Sequence, residues 1–211
     1  QAAQRHLSKS AIRPLLPHVT TTAQRIIKLY LSLSTSSKGG INMALIMRYQ
    51  WAAYMGVLSG SSTQTETFNL IGDGFTSFPE AKNPKEYTRK YINDKTERSD
   101  VIGYAPSIGY TCDMISDDPV VQEIAKITDG ELVGNDTHRN VVSVNLWEPS
   151  GSTANTYKAF KRAYAIIPGN KGDGTDALIY SGTMKAVSDV VEGTFNTSTK
   201  TFTASNSSSG G

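Results

Sequence analysis

This 211-residue chain has one cysteine, Cys112, and three histidines. A lone cysteine excludes an internal disulfide, and its place among apolar neighbours marks it as a small core residue rather than a reactive thiol. From residue 43 onward the only histidine is His138, beside Arg139 in the polar loop "GNDTHRN", where it reads as a solvated loop residue. No second His or Cys stands at ligand spacing, so neither a structural nor a catalytic zinc site is expected. Long apolar runs are also missing. The most apolar patch, residues 26–33, is broken by Lys28 and Ser32 and falls far short of the ~18 residues of a spanning helix, so no membrane partner is expected.

Acidic residues are absent from residues 1–42, which hold six bases, whereas residues 43–211 hold fifteen bases and all nineteen acids, a net charge of −4. The overall +2 therefore does not signal a phosphate-gripping surface, because the body has the wrong sign for one. The acid-free segment is Ser/Thr-rich like a transit peptide. Ile26, Ile27, Tyr30, Leu31 and Leu33 could also line a short amphipathic arm. However, Lys38-Gly39-Gly40 can be encoded by a ribosome-binding sequence placed a spacer's length before Met43. Residues 1–42 are accordingly read as a non-native upstream segment or a disordered arm, and kept out of fold reasoning.

Motifs for chemistry are equally scarce. "GNKGDGTD" lacks the Gly-Lys-Ser/Thr ending of a phosphate loop and the spacing of a calcium loop. There is no Gly-x-Ser-x-Gly. Asp117 and Asp118 are adjacent carboxylates, but the Pro119 that follows explains them as helix-start residues. No catalytic residue, metal or cofactor is expected.

What is present is β patterning. Alternation runs through residues 47–55 (which also suit a helix), 67–71, 85–94, 141–148, 157–167 and 177–184, separated by turn-rich loops. A closing hairpin sets 193–196 against 200–203, with Phe195 and Phe202 flanking its turn. One helix interrupts the strands: Asp118 as N-cap, Pro119 at its first position, Val120, Val121, Ile124 and Ile127 on one stripe, and Gly130 past its end. The predicted fold is mostly β, a small sandwich or barrel with one flanking helix over 43–203. The polar residues 204–211 form a disordered tail.

The longest alternation is "VIGYAPSIGYTCDM", residues 101–114. Its even positions, Ile102, Tyr104, Pro106, Ile108, Tyr110, Cys112 and Met114, are all apolar or aromatic. Its odd positions run Val101, Gly103, Ala105, Ser107, Gly109, Thr111 and Asp113. Read as one strand, it turns its bulky face to the core and keeps the other face nearly bare. The stretch just before it, "NDKTERSD", is too charged for a core and reads as a solvated hairpin tip or as a loop meeting charges on another subunit.

The run from "FTSFPEAKNPKEYTRKYINDKTERSDVIGYAPSIGYTCDMISDDPVVQEIAKI" through "VVSVNLWE" to "YKAFKRAYAIIPGNKGDGTDALIYSGTMKAVSDVVEGTFNTSTKTFT" resembles the major tail proteins, or tail tube proteins, of siphophages and prophages of Gram-positive bacteria. The resemblance covers residues 43–203. It implies a structural virion protein, made in the host cytoplasm, whose hexameric rings stack into a tube around a tape-measure protein. Tail terminator and baseplate or tail-tip proteins would be its further partners, and double-stranded DNA would pass through without specific binding.

A lumen for a duplex roughly 20 Å wide needs a barrel about 40 Å across, hence on the order of 20 strands ~4.8 Å apart and tilted ~40°. One chain with about ten strands cannot enclose it, but several copies can. Gly103, Ala105, Ser107, Gly109, Thr111 and Asp113 then face the channel, with residues 85–94 or 157–167 as neighbouring strand; Lys158, Lys161 and Arg162 count against the latter as lining. The inter-subunit loops are 59–67, 93–100 (Asp94, Lys95, Glu97, Arg98, Asp100) and 169–176 (Lys171, Asp173). The alternative is an extracellular or virion-decorating β-sandwich that binds carbohydrate on Tyr49, Trp51 and Trp147.

Overall fold

The near-continuous apolar run Trp51-Ala-Ala-Tyr-Met-Gly-Val-Leu lies at the centre of the fold, because a strand buried on both faces needs side chains of that kind on both parities. The computed structural model describes residues 45–60, 65–151, 153–172 and 176–205, all but Leu45 within the unit Ile46–Gly211. Residues 1–42, residues 61–64 of the 59–67 loop, Asp173 and residues 206–211 of the polar tail therefore lie outside the described residues.

After a 3-10 turn at Arg48–Gln50 come β1 (Trp51–Ser59), β2 (Thr65–Ile71), β3 (Phe75–Ser77), β4 (Glu80–Ala81), β5 (Pro84–Arg89), β6 (Arg98–Tyr104) and β7 (Ser107–Asp113). Helix α1 (Pro119–Asp129) follows, then β8 (His138–Pro149), β9 (Thr156–Lys171), β10 (Ile179–Ala186), β11 (Val191–Asn196) and β12 (Thr201–Ala204). The structure is mostly β with one α-helix among the described residues. The main sheet is antiparallel and runs β2-β1-β8-β9-β10-β7-β3. β9 has 16 residues and is its spine: β8 pairs along one edge, while β10 and then β11 pair in succession along the other.

The sheet is rolled. Between β2 and β11 lie four strand spacings, about 19 Å if flat at ~4.8 Å each. Yet the rings of Phe68 on β2 and Phe195 on β11 are 5.9 Å apart, and Tyr54 on β1 is 4.5 Å from Phe195. Around them Val142, Val144 and Ala159 complete one core. The opposite face of β1, carrying Ala53 and Met55, joins Ile108, Tyr110, Cys112, Val141, Tyr164, Ile166, Tyr180 and Met184 in a second core under α1.

Helix α1 begins where local chemistry dictates. Asp118 Oδ1 accepts from the N–H groups of Val120 (2.8 Å) and Val121 (2.9 Å), with Pro119 at the first helical position. At the other end the left-handed residue is Glu131 (φ 48), not Gly130 (φ −83). Gly130 is required for another reason, since a Cβ there would lie 2.7 Å from the Lys126 carbonyl oxygen. Glu123 and Arg139, 5% and 4% exposed, form a buried ion pair that ties the helix to β8.

The structure corrects the reading of 101–114 as one strand. It is two strands in two sheets, broken at Ala105 and Pro106, because proline contributes no N–H to a ladder. Asn83 (φ 44) stabilises the junction: its side-chain amide donates to the Ala105 carbonyl (3.1 Å) and to Ser107 Oγ (2.9 Å). Only the second half meets the expectation for its bulky face, with Ile108, Tyr110 and Cys112 buried. Ile102 and Tyr104 are 67% and 61% exposed. Alternation tells which residues share a face, not whether that face is covered. Similarly, the 85–94 strand ends at Arg89 and the 47–55 strand begins only at Trp51. The neighbours of β7 are β10 and the short β3 and β4; β9 lies one strand further away.

Candidate assembly surfaces

Three features stand out: a face of small side chains, a projecting arm and a cavity at the arm's base. The face follows from strand register. Directly paired residues share a sheet face, so Ser107, Gly109, Thr111 and Asp113 on β7 lie beside Lys185, Thr183, Ser181 and Ile179 on β10. Thr183 and Lys185 in turn pair with Ile167 and Ala165 on β9, and Ala165 and Ala163 with His138 and Asn140 on β8. The product is a four-strand surface of mainly Ser, Thr, Gly, Ala and Asn, charged chiefly at Asp113 and Lys185. Lys158 and Arg162 project from the opposite face of β9, whereas Lys161 shares the small-residue face with its ammonium 5.0 Å from the Phe202 ring. His138 is the half-buried first residue of β8 rather than a loop residue.

Of the six expected wall residues, four are thus brought together on β7. Ala105 is in the junction. Gly103 belongs to β6, opposite Lys85, where an added Cβ would meet nothing within 4 Å.

The arm is the β5–β6 hairpin, a two-stranded sheet of its own. Every residue of β5 and all of β6 but Gly103 are exposed, including Tyr87, Val101, Ile102 and Tyr104. Its far end is ordered by its own charges. Arg98 pairs with Asp94 at 2.9 Å and lies over the Tyr91 ring, and Arg89 lies over Tyr87. Lys95, Glu97 and Asp100 are exposed. Lys171, by contrast, is engaged within the subunit: its ammonium is 2.8 Å from Asp129 and lies over the Tyr180 ring. Lys171, and after it the Tyr180 hydroxyl, hydrogen-bond the Asp129 carboxylate and hold its pKa below the ordinary value.

At the base of the arm a cavity of about 530 Å³ is lined by Trp51, Phe78, Tyr104, Phe160, Arg162 and Val190, among others. Arg162 Nε is buried there without a hydrogen-bond partner. Glu80, on the same wall, is 2.5 Å from Lys82. Nothing in the sequence announces this cavity, because its lining comes from six separate segments of chain. Of the three proposed sugar-platform aromatics only Trp51 lines it.

Chemistry is elsewhere sparse. Burial pushes the Cys112 thiol up to about 11, with Asp113 and Asp118 adding to the effect, so it is a poor nucleophile. Among the described residues no group of His, Cys, Asp and Glu could hold a metal ion, and no helix is long and apolar enough to cross a membrane.

No family model matches the chain, and no curated protein does. Among solved structures, it is similar to a chain of the anti-feeding prophage (AFP) baseplate, at 8% identity over 71% of this chain and 95% of that chain, with a TM-score of 0.41. It is also similar to a chain of the anti-feeding prophage tube-terminating cap, at 9% identity over 75% of this chain and 97% of that one, TM-score 0.42. A third is in the PVC sheath-tube complex of an extracellular contractile injection system in its extended state, at 9% identity over 72% and 93%, TM-score 0.38.

Proposed function

We propose that this chain is a structural tail protein whose copies form hexameric rings that stack into a tube around a tape-measure protein, leaving a channel for genome delivery. The observation that carries the reading is the small-residue face across β7, β10, β9 and β8. A wall of short, mostly neutral side chains gives a passing duplex few phosphate contacts, and each contact avoided lowers affinity and its salt dependence. The net −4 of residues 43–211 acts in the same direction.

The sheet also has free edges. Among the described residues β2 pairs only with β1, and β12 only with β11. Such edges are a liability in a monomer and a means of polymerising in a tube subunit. Ser107, Gly109, Thr111 and Asp113 would face the lumen, and Asp94, Lys95, Glu97, Arg98 and Asp100 would contact a neighbouring copy. The 8-residue segment 93–100 lies outside both cores, so deleting it should leave a folded subunit. In negative-stain images and light scattering the full chain should form rings or tubes, and the deletion variant should not. A full chain that stays monomeric at tens of micromolar would overturn the proposal.

The aromatic cavity favours a second reading, a carbohydrate-binding module. A monomer with glycan affinity that is lost on Trp51→Ala would support it.

A further inference from the structure

The far end of the arm carries the wrong residue for a solvated turn. Its turn is closed by the Asp94 N–H donating to the Tyr91 carbonyl at 3.0 Å, with Ile92 and Asn93 at the centre. Such positions normally go to Gly, Pro, Asn, Asp or Ser. Ile92 is 110% exposed and Tyr91 51% exposed. Ile92 gains nothing in the isolated subunit and Tyr91 has only the Arg98 guanidinium over its ring; an aliphatic and an aromatic side chain held out together on a hairpin tip are the kind of anchor that fills a partner's pocket.

The cavity at the arm's base is such a pocket. Its volume, about 530 Å³, is within the ~300–1,000 Å³ of sites that enclose drug-sized molecules, which is room for a tyrosine and an isoleucine together. Most of its lining is apolar or aromatic. Two atoms of oppositely charged groups are also buried without a hydrogen-bond partner: Nε of the cavity-lining Arg162, and Oδ2 of Asp94 beside the tip, whose other carboxylate oxygen is held by Arg98. The tip cannot reach the cavity of its own chain. Tyr104, on the cavity wall, is six residues along β6 from Arg98, about 20 Å at ~3.4 Å per residue.

We propose that Tyr91 and Ile92 of one copy insert into this cavity of a second copy, between Trp51, Phe78, Phe160 and Val190, with Asp94 approaching Arg162. The inference deepens the assembly reading and rests on it. The contact is heterologous, tip to socket, so each copy offers one of each and the interaction propagates into a ring or a stack.

The test uses the full chain, as wild type and as plug, socket and cysteine variants. Ile92→Asp removes the plug, and because Ile92 touches no core its melting temperature should match wild type while self-association weakens on the order of 10–100-fold. Ser143→Trp fills the socket; where it melts early, Val190→Arg replaces it. The double variant Ile92→Cys/Val190→Cys should give a ladder of covalent oligomers on mild oxidation, whereas either single cysteine variant should not, and the buried Cys112 adds no background. If the wild type assembles and Ile92→Asp assembles equally well, or no ladder forms, the plug-and-socket contact falls and the tube reading survives. Glycan binding that Ser143→Trp abolishes while assembly is untouched also refutes the contact. If the wild type does not assemble at all, both readings fall.

Discussion

Replacing Arg139 by alanine should be among the most damaging single changes to this fold, and the reason can be worked from the site. Arg139 Nε donates to Glu123 Oε1 at 2.9 Å, and Nη2 donates to the same oxygen. Nη1 donates to the carbonyls of Asp136 (2.9 Å) and His138 (2.6 Å). Both ion-pair partners are almost fully buried, so truncating the arginine leaves the Glu123 carboxylate out of water. Its one remaining cation is Lys126 at 3.7 Å, whose side chain is 61% exposed. Breaking a buried pair from one side costs about 3–5 kcal/mol.

At roughly 2–4 °C per kcal/mol for a unit of this size, the melting temperature should fall by roughly 6–20 °C. Circular dichroism melts measure this, and urea titrations with an unchanged m-value confirm that the native state, not the unfolded one, has changed. Glu123→Leu combined with Arg139→Met should recover most of the loss, because a packed apolar pair of similar volume is often as stable as the ion pair it replaces. A single-variant loss under about 3 °C would refute the reasoning. A double variant no better than the single would assign the loss to the two carbonyls instead.

Two further outcomes follow from local geometry. Gly182→Ala places a Cβ 2.5 Å from both the Ile167 carbonyl oxygen and the Tyr110 hydroxyl, an overlap worth about 1–3 kcal/mol; Gly103→Ala, in open space, should stay within about 0.5 kcal/mol, and equal melts would contradict the packing described. The Asp129 carboxyl, lowered first by Lys171 and then by Tyr180, contributes stability that is present above its unfolded pKa of ~3.9 and lost as pH falls through the lower folded value. The melting difference between wild type and Asp129→Asn should therefore be present at pH 7 and vanish in strong acid, and a difference independent of pH would refute the assignment.

What was legible in the sequence was local. Asp118 and Pro119 define the helix start because a cap and a fixed φ act within three residues. Phe195 and Phe202 announce their hairpin because they are directly opposite across a short turn, as the register confirms. The division of 101–114 was not legible. The same alternation continues through Ala105 and Pro106, and only the three-dimensional path shows that its first half leaves the core. Gly182 gave no signal either: it is a glycine because Tyr110, 72 residues earlier in the sequence, lies over it. The cavity was hidden for the same reason.

A two-stranded hairpin is marginal on its own in water, and β5–β6 has an additional burden, since Arg89 and Arg98 are directly opposite each other, a like-charge pair that destabilises a ladder. Asp94 and the rings of Tyr87 and Tyr91 offset that repulsion only from the sides. Fixing the arm in one geometry also costs backbone entropy that no buried core repays. An arm so built is not a folding element of the monomer. Its exposed apolar residues make sense as surface reserved for a contact that the single chain does not make, and its own ladder, the Thr88–Ser99 hydroxyl pair and the Arg98–Asp94 ion pair hold it in shape for that contact.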